Sequence, residues 1–101
     1  MATYIVLGQF TDQGIRNVKE SPKRAEALKE LASKAGGSVK DVYWTIGEYD
    51  VVAIVDAPDD ASFTALMLTV GGLGNVRTQS LRAFTAGEMA DILGRVGRIT
   101  G

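Results

Sequence analysis

The chain has no cysteine and no histidine, only two prolines and one tryptophan, no unbroken apolar run longer than Val51–Val55, and no surplus of either charge. Each absence removes a class of protein. Without Cys or His there is no disulfide framework, no thiolate or imidazole metal site, no His-ligated haem and no Cys/His nucleophile and base pair. A run of five apolar residues is far short of the roughly 20 that a membrane span needs. The 11 basic and 12 acidic side chains are spread evenly, 7 and 7 over residues 1–50 and 4 and 5 over 51–101. No basic stripe is available to displace counterions from phosphates, so nucleic acid is not an expected partner. Met1-Ala2-Thr3-Tyr4 carries no basic segment of the kind that opens a secretion signal, and the expected location is cytoplasmic. Any chemistry must run on Asp, Glu, Tyr, Lys, Arg, Ser or Thr.

What is present is a 46% apolar chain of 101 residues, enough for one domain with a thin core. The expected division is a core over residues 3–85, a C-terminal helix over 86–96 and a Gly-rich tail over 97–101. Thr3 to Phe10 reads as a strand, ended by the turn and capping residues Thr11-Asp12-Gln13-Gly14. Ile15 and Val18 suggest a short helical turn capped by Thr11 or Asp12, and Ser21-Pro22 restarts a helix in which Ala25, Leu28, Leu31, Ala32 and Ala35 recur at helical spacing. Val39 to Ile46 predicts a strand with Val42, Trp44 and Ile46 on one face and Asp41, Tyr43 and Thr45 on the other. Gly47-Glu48-Tyr49-Asp50 turns the chain into Val51 to Ala57. Pro58-Asp59-Asp60 starts a second helix carrying Phe63, Leu66, Met67 and Val70, and Gly71, Gly72 and Gly74 stop it. Asn75 to Phe84 is a fourth strand.

The order βαββαβ followed by a helix is the α+β, ferredoxin-like arrangement, an antiparallel four-stranded sheet with two helices on one face. Its first and third strands are central. Those segments, Tyr4 to Phe10 and Val51 to Val55, are apolar at both parities. A sheet with one solvated face should alternate, so something is expected to cover the second face. A second copy of the chain, sheet to sheet, is the economical cover. The alternative is the C-terminal helix folded back on its own sheet.

Gly47-Glu48-Tyr49-Asp50, with Val42-Tyr43-Trp44-Thr45 before it and Val51-Val52 after, resembles the signature of the GYD domain family. Phe10-Thr11-Asp12-Gln13-Gly14, Asp56-Ala57-Pro58-Asp59-Asp60, Asn75-Val76-Arg77-Thr78 and Leu81-Arg82-Ala83-Phe84 extend the resemblance from about residue 3 to 90. The resemblance implies a dimeric α+β barrel, usually a short stand-alone bacterial protein, and brings no established activity or cofactor with it. Relatives by fold span cofactor-free monooxygenases, isomerases, haem enzymes and transcriptional effector domains, so fold does not select a function.

The candidate ligand residues are Tyr43, Tyr49, Asp50 and Arg77. Aromatic and acidic groups at a barrel mouth could hold a small molecule. The same hairpin residues could equally serve the turn, Gly47 through its backbone and Asp50 by accepting from turn amides. Trp44 is expected in the core. Arg77 and Arg82, five positions apart, should face opposite sides of the sheet, and either could bind an anion or simply solvate an edge strand. Asp56, Asp59 and Asp60 could suggest a hard cation, but helix capping explains Asp59 or Asp60 more simply, and no metal is expected. The leading expectation is a homo-oligomeric small-molecule-binding or assembly module. The alternative is a cofactor-free enzyme, monooxygenase-like or isomerase-like, using Tyr43, Tyr49 and Asp50 to handle protons in the barrel cavity. A transcriptional effector role would need a separate DNA-binding partner.

Overall fold

Tyr4 and Val6 are buried, whereas Ile5 and Leu7 beside them are only half-buried although equally apolar. Successive strand residues point to opposite faces, so the two faces of this strand meet different surroundings. The computed structural model describes all of residues 1–101. Strand β1 (Ala2–Phe10) is followed by the short helix α1 (Asp12–Arg16), a 3-10 turn at Val18–Glu20, and helix α2 (Ser21–Lys34). Strands β2 (Ser38–Trp44) and β3 (Val51–Ala57), helix α3 (Asp60–Gly72), strand β4 (Val76–Ala83) and helix α4 (Ala86–Thr100) complete the chain. The sheet is antiparallel with order β2-β3-β1-β4, so β1 and β3 are central as the ferredoxin-like reading requires.

Local chemistry accounts for the element ends. Thr11 caps α1, its hydroxyl accepting from the Gly14 amide at 3.1 Å. Asp59 caps α3 by accepting from the Ser62 amide at 2.7 Å, and that bond holds its carboxyl below the usual range. Pro22 occupies the first turn of α2, where its missing N–H costs nothing. Helix α3 runs to Gly72, beyond its expected stop at Gly71. Each helical glycine costs only about 1 kcal/mol, and the Leu73 and Gly74 amides tighten the last turn by donating to Val70 and Gly71.

The inner face of the sheet contributes Tyr4, Val6, Ala53, Val55 and Ala57 to the core, against Ala32 of α2 and Phe63 and Leu66 of α3. The Tyr4 and Phe63 rings stack with centroids 3.8 Å apart and planes 3° from parallel. Gly14 is a close approach: a Cβ there would lie 1.9 Å from the Asn75 carbonyl oxygen, so only glycine lets α1 rest against the start of β4.

Helix α4 differs from expectation in length and in placement. It continues through Gly94 and Gly97 to Thr100, so the expected tail over 97–101 is helical nearly to its end. A capping box starts it, with the Glu88 amide donating to Thr85 at 3.2 Å and the Thr85 amide to Glu88 at 2.9 Å. Its apolar stripe also runs past residue 96, through Met89, Leu93, Val96 and Ile99. None of its residues is buried, and it does not pack on the sheet. The radius of gyration is 15.6 Å, against about 13 Å for a compact chain of this length. The long axis reaches 55 Å because α4 stands away from the body. The C-terminal helix therefore leaves the second face of its own sheet uncovered.

Tyr4 is the one core side chain with a titratable group. Its hydroxyl donates to the Asp60 carboxylate, and the Arg82 guanidinium lies 5.6 Å from the ring centre. Burial, then the Asp60 hydrogen bond and charge, push its pKa from 10.0 up to about 12, against a lowering by Arg82. Between those values the unfolded chain releases this proton while the folded chain keeps it, so stability falls as pH rises through that window. In urea unfolding followed from pH 9 to 12, wild type should lose stability more steeply than Tyr4→Phe; identical slopes would refute the assignment. Gly14→Ala should cost about 2–4 kcal/mol in the same assay through backbone displacement. Gly71→Ala, which meets open space in a helix, should be neutral or stabilising by up to about 1 kcal/mol.

Candidate functional site

The uncovered face is built from one parity of every strand. Register places Ile5 opposite Ile54 and Leu81, Leu7 opposite Val52 and Gln79, Gln9 opposite Arg77, and Tyr43 opposite Val52. Ile5, Leu7, Val52, Ile54 and Leu81 form an apolar centre with no helix over it. Polar groups surround it. At one end Asp56 accepts from the Thr3 hydroxyl at 2.7 Å and pairs with Lys40 at 3.1 Å, the lysine brought there by an irregularity in β2 between Val39 and Asp41. The Thr3 hydrogen bond, more than Lys40, holds the Asp56 carboxyl below its ordinary value against the opposing effect of burial.

At the other end lies the hairpin loop. Asp50 is bonded on three sides: its amide donates to Gly8 at 2.8 Å, its carbonyl accepts from the Thr45 amide at 2.8 Å, and its carboxylate accepts from the Phe10 amide at 2.8 Å. The loop is further held by the Thr45 hydroxyl donating to Tyr49 at 2.6 Å and Gln9 donating to Glu48 at 2.9 Å. Gly47, at φ 127°, allows the reversal. The Tyr49 hydroxyl donates to Gln79 at 2.8 Å, reaching from the hairpin to the edge strand β4. Nothing in the spacing of the sequence pairs residues 49 and 79; the contact follows from strand order.

Of the four candidate ligand residues, Tyr43, Tyr49 and Arg77 belong to this face, while the Asp50 carboxylate turns to the end of β1. Tyr43 and Arg77 stand on opposite edge strands, three strand spacings or about 14 Å apart. Arg82 lies on the opposite face, over the Tyr4 and Phe84 rings, as the five-residue spacing demands. Trp44 is not core. It shares the helix-covered face with Val51, stays 48% exposed, and walls a cleft beside α2. Ile46 leaves the strand altogether and is fully exposed in the loop, because β2 ends at Trp44. Asp56, Asp59 and Asp60 serve three separate partners, Lys40, Ser62 and Tyr4, and no three acidic groups converge.

A face with an apolar centre, a rigid loop at one end and unpaired Tyr43 and Arg77 at its edges is suited to contact over an area. The Asp50 carboxylate and Tyr49 hydroxyl tie the hairpin to Phe10 and Gln79 of neighbouring strands, so their removal reads out as stability. Asp50→Ala, which strands the Phe10 amide, should cost about 1.5–3 kcal/mol. Tyr49→Phe should cost no more than about 1 kcal/mol. Urea unfolding of both variants checks this; an unchanged midpoint for Asp50→Ala would contradict a turn role.

Comparison with known proteins agrees with this architecture. The GYD domain family model matches residues 4–93. A protein of Thermus thermophilus named glutamine synthetase and cystathionine beta-lyase binding protein is 35% identical over 97 residues, covering 95% of this chain and 99% of its own length. A crystal structure from the same organism superposes with a TM-score of 0.55 at 30% identity, over 85% of this chain and 96% of that one. The crystal structure of a second protein, an FFRP, shares the fold, with a TM-score of 0.60 at 20% identity, over 83% of this chain and 100% of that one. By a family match spanning nearly its whole length and a full-length relative, the chain belongs to the GYD domain family.

Proposed function

We propose that this GYD domain protein is a self-associating binding module, in which two copies stack open sheet face on open sheet face as a dimeric α+β barrel. The uncovered apolar centre of the sheet, Ile5, Leu7, Val52, Ile54 and Leu81, carries the reading. Such a patch is costly to leave in water, and closed two-fold pairing lets one patch cover its own copy. Four strands about 4.8 Å apart and some seven residues long present a footprint of only about 400 Å². A stable interface needs about 800 Å² on each side. The exposed stripe of α4, Met89, Leu93, Val96 and Ile99, supplies further apolar surface of the kind a partner copy would cover.

Likeness to the Thermus binding protein extends the proposal to protein partners, namely metabolic enzymes such as glutamine synthetase and cystathionine beta-lyase. The rigid hairpin with exposed Ile46 and Tyr43 is the surface offered to them. An enzymatic role for Tyr49 and Asp50 finds less support, since both already commit their polar groups to Gln79 and Phe10.

Native mass spectrometry and light scattering test the first part. Wild type should carry twice the chain mass of 10.7 kDa or a higher multiple at micromolar concentration. Ile54→Lys, which puts a charge at the centre of the stacked faces, should weaken association by at least about 100-fold while leaving the circular dichroism spectrum intact. A monomeric wild type would overturn the proposal. Capture of purified glutamine synthetase by wild type, weakened by Ile46→Asp, checks the hairpin; unchanged capture by that variant would remove it.

A further inference from the structure

Helix α4 is amphipathic along its whole length, yet it makes no extensive contact with any other element of the chain. Met89, Ile92, Val96 and Ile99 recur at spacings of three, four and three, the a and d pattern of a helix that packs along another helix. None of the four is buried, and Ile99 is 85% exposed.

The two flanks of this seam differ. With 3.6 residues per turn, one flank carries Glu88, Asp91, Arg95 and Arg98, and the other carries Ala90, Leu93, Gly97 and Thr100. The charged flank is itself divided, with both acids in the first half of the helix and both arginines in the second. Asp91, Arg95 and Arg98 make no ion pair within the chain. A two-fold axis that relates two antiparallel helices brings like flanks together, the first half of one beside the second half of the other. The acids of one copy then lie along the arginines of the other, and the uncharged flanks meet each other. A parallel pair would set each charged flank against an uncharged one. Exposed charge pairs add little affinity but do fix orientation. Opposed helix dipoles favour the antiparallel arrangement as well.

The seam is also separate from the open sheet face. Glu88 in the first turn of α4 pairs with Arg82 at 3.8 Å, and Arg82 lies on the helix-covered side, over the Tyr4 and Phe84 rings. Stacking of sheets therefore leaves α4 free.

We propose that α4 is a second self-association element, pairing antiparallel with α4 of another copy. Met89 packs against Ile99 of that copy and Ile92 against its Val96, on a two-fold axis distinct from that of the stacked sheets. A seam of about 22 Å is short for a helix pair by itself, and a stacked dimer that offers two such helices strengthens the contact. Where both contacts form, four or more chains assemble. That number rests on the stacking reading, whereas the helix pair does not.

The chain has no cysteine, so an introduced thiol is unique. In the antiparallel pair the two copies of residue 89 stand about 15 Å apart along the axis, as do the two copies of residue 99. A short bismaleimide should link Met89→Cys protein to Ile99→Cys protein at least about 5-fold faster than it links either variant to itself. Val96→Glu, introduced into both, should slow the mixed link at least about 5-fold by placing a charge in the seam. Circular dichroism should not change, because α4 contributes nothing to the core. In light scattering, wild type should have at least about twice the mass of Val96→Glu. Equal linking of Met89→Cys to itself and to Ile99→Cys, or a mixed link indifferent to Val96→Glu, would overturn the proposal. In an Ile54→Lys background, where stacking is removed, the mixed link should keep its preference. A wild type that associates through its sheets but gives no mixed link overturns the helix pair alone; a mixed link in a protein whose mass is indifferent to Ile54→Lys overturns the stacking alone.

Discussion

Two helices can cover only one face of a four-stranded sheet, and most features of this protein follow from how it meets that constraint. On the covered face, Tyr4, Val6, Ala53 and Val55 pack against Ala32, Phe63 and Leu66 and make a small core. Three of the eight core residues are alanines, which bring helix and sheet close but contribute little apolar area. On the open face, Ile5, Leu7, Val52 and Ile54 repeat the same apolar character with nothing above them. Helix α4, the one element free to cover them, is directed away. Much of the chain's apolar surface is thus placed where only another molecule could bury it, and α4 adds its own unpartnered stripe.

Polar groups divide along a similar line. Around the hairpin every donor and acceptor of consequence is matched: Asp50 to Phe10, Gly8 and Thr45, Tyr49 to Gln79, Gln9 to Glu48. Such a loop is rigid and exposes side chains whose polar groups are already bonded. Under α2 the opposite holds, because Ser21 and Arg24 are withdrawn from water with bonding capacity left over. Buried donors without partners are rare in folded proteins, whereas a bonded side chain at a turn marks structure. Of the four candidates read from the sequence, Tyr49 and Asp50 have their polar groups bonded, whereas Tyr43 and Arg77 do not.

Much of the fold was legible. The βαββαβ order, the central position of β1 and β3 and the opposed directions of Arg77 and Arg82 follow from period and local chemistry, while the caps are narrowed to Thr11 or Asp12 and to Asp59 or Asp60, of which the structure uses Thr11 and Asp59. Errors fell where local signals were weak or overridden. Glycines at 97 and 101 suggested a tail over 97–101, but a capping box and a continuing stripe sustain the helix to Thr100. Trp44 has core parity, yet β2 is an edge strand, and the cleft beside α2 leaves the ring half-exposed. Ser21 and Arg24 carried no signal at all: a serine at a helix start and an arginine in its first turn are ordinary until the burial around them is known.

Residue order alone was enough to read the order of elements, the sheet topology, the family and the presence of more apolar strand surface than two helices can hide. These depend on residue period, capping and turn chemistry, which act between neighbours along the chain. That α4 leaves the open face bare, that Tyr49 reaches Gln79 across the sheet, and that Ser21 Oγ and Arg24 Nε are buried without partners are visible only in the folded chain. Those facts depend on which residues, distant in sequence, exclude water from one another, and burial of that kind leaves no periodic trace.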